Sequence, residues 1–515
     1  MRLRVFIGGL ILLGGFGPAG AVEEKLVIAH YMTDIIAREG KLNRWVDPEL
    51  ADPQGSTAAV GGLHQTVPLA TDRLKGASLR TAVEFEIRAA QQLGIDGFQF
   101  YYPGVDNPAL LDKGFNPVIQ EFFRVCDEHY PEFKLTLCLS LAQSREGLDE
   151  KGKIERWSKS LRALLAEVGD SRSWLRSKSG ARLFYLWVGD PLAEDVAHRA
   201  ETPEDIRKVR AAYRRLAEAV GVPIDYIYQV RRPQIDPPYL DSITEEFAGV
   251  WGWTASEENP EFWEDLARRC RESGTLYTQT VYPDYYTSKV YAKGAPGHRI
   301  LSTEEALELG VSGIERHYRV TGLAQTQIKL LERAVRLDVP IINYATWNDY
   351  PEGHHLAPEK NHNFGPGLLL RHFKREWLTG SKKVEGDEAI VFFKRYRHDV
   401  KPTHEVGLKI KSANKDLASE DRIELVTLLK APAECRLNGH ALGMVGAGLQ
   451  VRSIASEAGS VRVEVIRGGE TVIDFQTPEG ITTDPLRTNR LTYAYSSAFD
   501  RECRKMFGAE RKDGR

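Results

Sequence analysis

Hydrophobic residues cluster along this chain in short runs separated by amphipathic stretches. Eight runs stand out, at residues 26–32, 95–102, 133–141, 181–188, 224–230, 247–254, 276–282 and 339–346. Each is rich in Val, Ile, Leu, Phe or Tyr and lacks clean polar alternation, the pattern of parallel strands covered on both faces. Between them, residues 78–93 carry apolar side chains at Leu79, Val83, Ile87 and Ala90, and residues 260–270 and 322–337 repeat the same spacing of three and four, which predicts amphipathic helices. Eight strands alternating with helices over about 350 residues predict an α/β fold, a (β/α)8 TIM barrel with long loops. An open doubly wound sheet is the competing architecture, and no G-x-G-x-x-G follows the first run to support it.

The pattern changes after Gly380. Residues 381–387 are charged and glycine-bearing, and beyond them short alternating runs at 389–393, 405–410, 423–429, 460–466 and 471–475 replace the helical period. With turn signals at Asn438-Gly439 and Gly468-Gly469, this predicts a C-terminal antiparallel β-sandwich. The expected domains are a leader over 1–21, a catalytic barrel over 25–380, a sandwich over 387–485 and a polar tail over 486–515, the last either a strap across the barrel or partly disordered.

The leader rests on Arg2 and Arg4 ahead of an apolar run from 5 to 16, closed by Ala19-Gly20-Ala21. That run is shorter than the roughly 20 residues a membrane span needs, and no Cys follows the cleavage point for lipid attachment. The reading is a cleaved signal peptide and a secreted or periplasmic protein, against the alternative of an uncleaved anchor. Setting aside Arg2 and Arg4 leaves 67 basic residues against 72 acidic, a net of −5 without blocks, so no nucleic-acid partner is expected. Five scattered Cys without C-x-x-C spacing exclude a disulfide framework and a zinc-cysteine site, leaving room for one or two bridges at most.

Functional residues of such a barrel sit where the strands end. The ends here are aromatic and polar: His30 and Tyr31; Tyr101 and Tyr102; Trp187 and Asp190; Gln229; Trp251 and Trp253; Tyr282, Asp284 and Tyr285; then Trp347, Asn348, Asp349, Tyr350, Pro351, Glu352, Gly353, His354 and His355. Aromatic faces stack on sugar rings while Asp, Asn, His and Gln satisfy hydroxyls, so the mixture suits a carbohydrate groove. For any one Trp or Tyr, interior packing is the plainer reading; the shared location at strand ends shifts the balance. Candidate substrate-binding residues are therefore His30, Tyr101, Tyr102, Trp187, Trp251, Trp253, Tyr282, Asp284, Trp347, Asn348 and His355. Glycoside hydrolysis needs one protonated carboxyl and one ionised carboxylate, and Asp349 and Glu352 can supply both. Their three-residue spacing also fits a helix N-cap with a capping-box Glu, but Gly353 and Pro358 oppose a helix there.

The segment Thr346-Trp347-Asn348-Asp349-Tyr350-Pro351-Glu352-Gly353-His354-His355 resembles the T-W-N-D-Y-G-E-S-H-Y stretch of glycoside hydrolase family 71, the α-1,3-glucanases or mutanases. Ile28-Ala29-His30-Tyr31-Met32 is similar to that family's F-A-H-F-M first strand, and the segments at 94–98 and 281–286 look like further landmarks. The resemblance implies a secreted polysaccharide hydrolase of α-1,3-glucan, without cofactor, inverting, with Asp349 as base and Glu352 as acid. Where the family has G-E-S, this chain has Pro351-Glu352-Gly353, closer to the W-N-E-W-x-E-G pattern of the related endo-α-mannosidase and endo-α-mannanase family 99, which implies α-mannan as the second substrate and a retaining course through the sugar's 2-hydroxyl. Two other classes compete: a glycan-binding protein without turnover, opposed by the presence of both carboxylates, and a metal-dependent hydrolase on His354, His355 and His362. For the latter, adjacent histidines on an extended segment point opposite ways and no H-x-x-x-H follows, so no metal is expected.

Overall fold

The computed structural model describes residues 24–104, 108–142, 147–196, 198–296 and 299–508. The leader expected over 1–21 and the end of the expected tail lie outside them. All eight apolar runs are strands: β1 Leu26–Tyr31, β2 Gly97–Pro103, β3 Lys134–Ser140, β4 Arg182–Trp187, β5 Ile224–Gln229, β6 Gly249–Trp251, β7 Leu276–Val281 and β8 Ile341–Tyr344. Each pairs in parallel with the next in chain order, and β8 returns to β1 to close a TIM barrel. The helices follow in alternation: α1 Leu79–Gln92, α2 Asn116–His129, α3 Glu150–Val168, α4 Pro203–Val220, α5 Pro237–Glu246, α6 Pro260–Ser273, α7 Gln325–Arg336 and α8 Gly365–Thr379. Local chemistry sets their starts: Ser78 accepts the Thr81 N–H before α1, and a Thr202/Asp205 capping box with Pro203 opens α4.

Successive strand residues face opposite sides, and this period of two decides what enters the barrel. Leu26 and Ile28 of β1 point into the interior with Leu183, Tyr185, Trp251 and Ile341, whereas Val27, Ala29 and Tyr31 pack against the helices. Gln99, Thr280 and Asn343, linked by hydrogen bonds, form a polar layer inside.

Beyond α8 lie β9 Glu388–Lys394, β10 Arg422–Leu429, β11 Ala433–Leu437, β12 His440–Val445, β13 Gly448–Ala455, β14 Gly459–Arg467, β15 Glu470–Ile481 and β16 Thr492–Ser496. They make two antiparallel four-stranded sheets, ordered β13-β10-β9-β16 and β12-β11-β14-β15. The first sheet is covered on both faces: Ala389, Val391 and Phe393 enter the sandwich core, while Ile390 and Phe392 join the core of the barrel's helical layer. The strand β16 arises from the stretch read as a tail and pairs with β9. A smaller sheet of Tyr291–Ala292, Ile314–Tyr318 and Gly407–Ile410 stands beside the mouth of the barrel. All five Cys are free thiols. Among the described residues no helix is long and apolar enough to cross a membrane.

Candidate active site

A cleft of about 550 Å³ opens at the C-terminal ends of the barrel strands. His30, Tyr101 and Trp187 continue the inward parity of β1, β2 and β4, and Trp253 stands two residues above the inward Trp251. Trp253 meets His30 edge-on at 5.1 Å and His354 at 5.6 Å, and its ring is tilted against Trp187 at 5.6 Å. Tyr285 stacks on His354 at 5.7 Å. Tyr291 and His317, stacked at 4.0 Å, line the cleft from the small sheet, and Lys411 comes from the chain beyond α8.

Asp349 and Glu352 face this cleft from the turn after β8. The segment is no helix: the Asp349 N–H donates to Thr346 Oγ1 at 2.8 Å, and the Thr346 N–H to the His354 carbonyl at 2.8 Å. Gly353 permits the turn, with φ of 75° and no room for a Cβ, which would lie 2.6 Å from the Tyr286 carbonyl oxygen. One oxygen from each carboxyl and a His354 nitrogen lie within 4.8 Å of one another. The Lys289 ammonium forms an ion pair with Glu352 Oε1, and His354 Nε2 is 3.1 Å from Oε2.

These neighbours drive the two carboxyls apart. Burial raises Asp349 above the ordinary Asp value, and the charge of Glu352 adds to the rise while Lys289 opposes it. Burial pushes Glu352 the same way, but Lys289 and His354 overcome it and hold the group below the ordinary carboxylate range. Asp349 Oδ1 is buried without a hydrogen-bond partner among the described residues, as are His30 Nδ1 and the Tyr101 hydroxyl. Burial lowers the His30 ring to about 3, so it is neutral.

Of the sequence candidates, Asp349, Glu352, His30, Tyr101, Trp187 and Trp253 line the cleft; the others do not. Tyr102 has the opposite parity to Tyr101, and its hydroxyl donates to Asn116 of α2 at 3.0 Å. Trp251 fills the barrel one layer down, donating to the Leu186 carbonyl at 2.9 Å. Tyr282 is buried among the helices, and Trp347 faces α1, where its indole N–H donates to Glu86 at 2.6 Å. Asn348 ties β1 to β8, accepting the Met32 N–H at 2.7 Å and donating to the Ile35 carbonyl at 2.9 Å. Asp284 is buried at the junction with the sandwich, accepting the Thr492 N–H at 2.5 Å, and Lys394 stands 3.7 Å from it. His355 points away from the cleft toward Glu359 and His362. Lys289, Tyr291, His317, Arg319 and Lys411 went unnoticed in the sequence, although Lys289 is three residues beyond the landmark ending at Tyr286.

Two larger clefts, of about 680 and 930 Å³, border the sandwich, and neither is lined by Asp349 or Glu352.

No family model and no curated protein matches this chain. Among solved structures, the GH99 endo-α-mannosidase from Bacteroides thetaiotaomicron aligns with 12% identity over 69% of this chain and 99% of its own, with a TM-score of 0.45. The β-glucuronidase 2 from Bacteroides uniformis, as a calcium-binding mutant, aligns with 10% identity over 88% of this chain and 46% of its own, with a TM-score of 0.42. The barrel rests on its own strand pairing and the site on its own geometry; at these identities and TM-scores the likenesses carry neither.

Proposed function

We propose that this chain is an exported glycoside hydrolase that cuts α-linked hexose chains, α-1,3-glucan foremost, with Asp349 and Glu352 as its carboxyl pair. One observation carries the reading: two close carboxyls of opposite protonation tendency lie under aromatic rings at the C-terminal mouth of a closed barrel. A carboxyl kept protonated can give its proton to the leaving oxygen, and one kept ionised can stabilise or attack the sugar carbon. The charges support Asp349 as the donor and Glu352 as the ionised partner, the reverse of the roles implied by the family 71 resemblance. Oxygens of the two carboxyls come within 4.8 Å of each other, a proximity compatible with the roughly 5–5.5 Å carboxyl spacing of retaining enzymes. Retention is the outcome we carry forward, against the inversion implied by the same resemblance. The Pro351-Glu352-Gly353 version of the motif keeps α-mannan as the second substrate.

The test is reducing-sugar release from α-1,3-glucan and α-mannan, with the first-formed anomer followed by NMR. Retention is expected. Asp349→Asn and Glu352→Gln should each lose about 10²–10⁴ in rate while staying folded. On an activated aryl glycoside, whose leaving group needs little protonation, Asp349→Asn should recover and Glu352→Gln should not. Rescue of Glu352→Gln alone restores the roles implied by the resemblance; no turnover of either polymer removes the hydrolase reading.

A further inference from the structure

Behind the catalytic turn, on the side away from the cleft, His355, Glu359 and His362 converge in a fully enclosed cluster. His355 Nε2 stands 3.6 Å and His362 Nδ1 3.7 Å from the same oxygen, Glu359 Oε1. Both distances are too long for hydrogen bonds. Neither ring nitrogen of His355, nor Nδ1 of His362, has a hydrogen-bond partner among the described residues. No lysine or arginine pairs with Glu359 among those residues; its oxygens accept the backbone N–H groups of Asn361 and His362, and the two imidazoles are the side chains that approach it. The far nitrogen of His362, Nε2, lies 3.3 Å from Asp284 Oδ2. If that nitrogen carries the proton, Nδ1 turns a lone pair toward an ionised carboxylate. A cation between that lone pair and the carboxylate relieves the repulsion, and His355, whose ring no hydrogen bond holds, brings a second nitrogen to the same oxygen.

We propose that His355, Glu359 and His362 bind a divalent first-row transition ion, zinc the first candidate, that pins the turn after β8 against the sandwich. Zinc takes imidazole and carboxylate ligands at about 2.0–2.2 Å, and donors across a tetrahedral angle then stand roughly 3.4 Å apart, close to the two distances here. Asp284 plays the part of the outer carboxylate that orients a metal-bound imidazole. Three protein ligands leave a fourth position for a water or a neighbouring oxygen. The site is linked to both units of the fold: Asp284 accepts the Thr492 N–H, and the Asn361 carbonyl accepts the Ala494 N–H at 2.8 Å, both from β16. Because His354 turns toward Glu352 while His355 turns toward Glu359, adjacent histidines serve opposite sides of one turn. The sequence pattern is His355-x₃-Glu359-x₂-His362, which a search for paired histidines alone passes over.

The test needs no assay of activity. The full chain is exposed to zinc sulfate, dialysed against metal-free buffer and analysed for metal by plasma mass spectrometry. About one zinc per chain is expected, falling below roughly a tenth in the near-isosteric Glu359→Gln and in His355→Ala. His398→Ala, which alters the exposed His398, Asp399 and Asp421 group, should keep its ion. Cobalt-loaded protein should show visible absorption. A strong chelator should lower the melting temperature of the unaltered protein by about 5 °C or more and leave that of Glu359→Gln unmoved. Folded unaltered protein that retains no metal, with melting indifferent to the chelator, overturns the proposal. Metal retained in full by Glu359→Gln and His355→Ala overturns it equally.

Discussion

Lys289→Met removes the one ammonium that pairs with Glu352 among the described residues and should move the pH dependence of catalysis toward alkali. The two side chains are 17% and 19% exposed, so their attraction is only partly screened. Unit charges about 4 Å apart at an effective dielectric of about 20 attract by about 4 kcal/mol. At 1.36 kcal/mol per unit, losing that attraction raises the Glu352 pKa by roughly 3 units, and by roughly 2 if His354, still 3.1 Å away, retains part of the hold. If Glu352 works ionised, activity falls as pH drops through its pKa. In the unaltered protein that pKa lies below the carboxylate range. Glu352 then sets no limb in the usual working range; in Lys289→Met an acid limb should appear at roughly pH 3–4. Lys289 also lowers Asp349, so the basic limb, where the donor loses its proton, should rise as well. The assay is kcat/KM from pH 3 to pH 9, with circular dichroism to show that the fold survives and Lys411→Met as a cleft cation not paired with Glu352. An acid limb unmoved in Lys289→Met, or moved equally in Lys411→Met, refutes the reasoning.

Glu86 is buried under Trp347, and burial lifts its pKa to about 7. A folded value above the unfolded one, about 4.3, means stability is fullest below that pH and is lost as pH rises toward 7, by about 2–3 kcal/mol between pH 5 and pH 8. Denaturant titrations should show Glu86→Gln gaining on the unaltered protein by that amount at pH 8; a gain independent of pH would contradict the assignment. Gly353→Ala drives a methyl into the backbone of Tyr286 at positive φ and should cost at least about 1–3 kcal/mol in thermal unfolding, with activity falling alongside. Trp251→Ala, opening a hole in the barrel, should cost about 3–5 kcal/mol. Trp253→Ala, at the cleft surface, should instead raise KM about tenfold while leaving the melting temperature nearly unchanged.

The eight barrel strands were legible because each is buried on both faces, which leaves long apolar runs that helices or half-exposed strands do not produce. The carboxyl pair was legible because both members sit on one turn. Which strand-end residues reach the cleft was harder to see, since it turns on parity. Tyr101 and Tyr102 look alike in a list, yet one faces the cleft and the other a helix. Trp251 shares the parity of Trp253 but sits one layer too low. Lys289, Tyr291, His317, Arg319 and Lys411 were hidden for another reason. A small sheet with one parallel pairing, between Ile314–Tyr318 and Gly407–Ile410, gathers them from segments far apart in the chain. No local period announces such a pairing.

The charge cluster at the junction bears on how the molecule comes apart. Asp284 belongs to the barrel, yet the ammonium nearest to it is Lys394 of β9, which also stands 3.6 Å from Glu420, itself 3.5 Å from Arg490. Separating the units would break these ion pairs and expose to water the apolar contacts that Ile390 and Phe392 make with the barrel's helical layer. Barrel and sandwich should therefore melt in a single calorimetric transition, with calorimetric and van't Hoff enthalpies in agreement, although a chain of this length ordinarily unfolds in stages. Two resolved peaks would show that the junction does not couple the units. A gene cut after Gly380 is accordingly expected to yield insoluble chain instead of a smaller barrel.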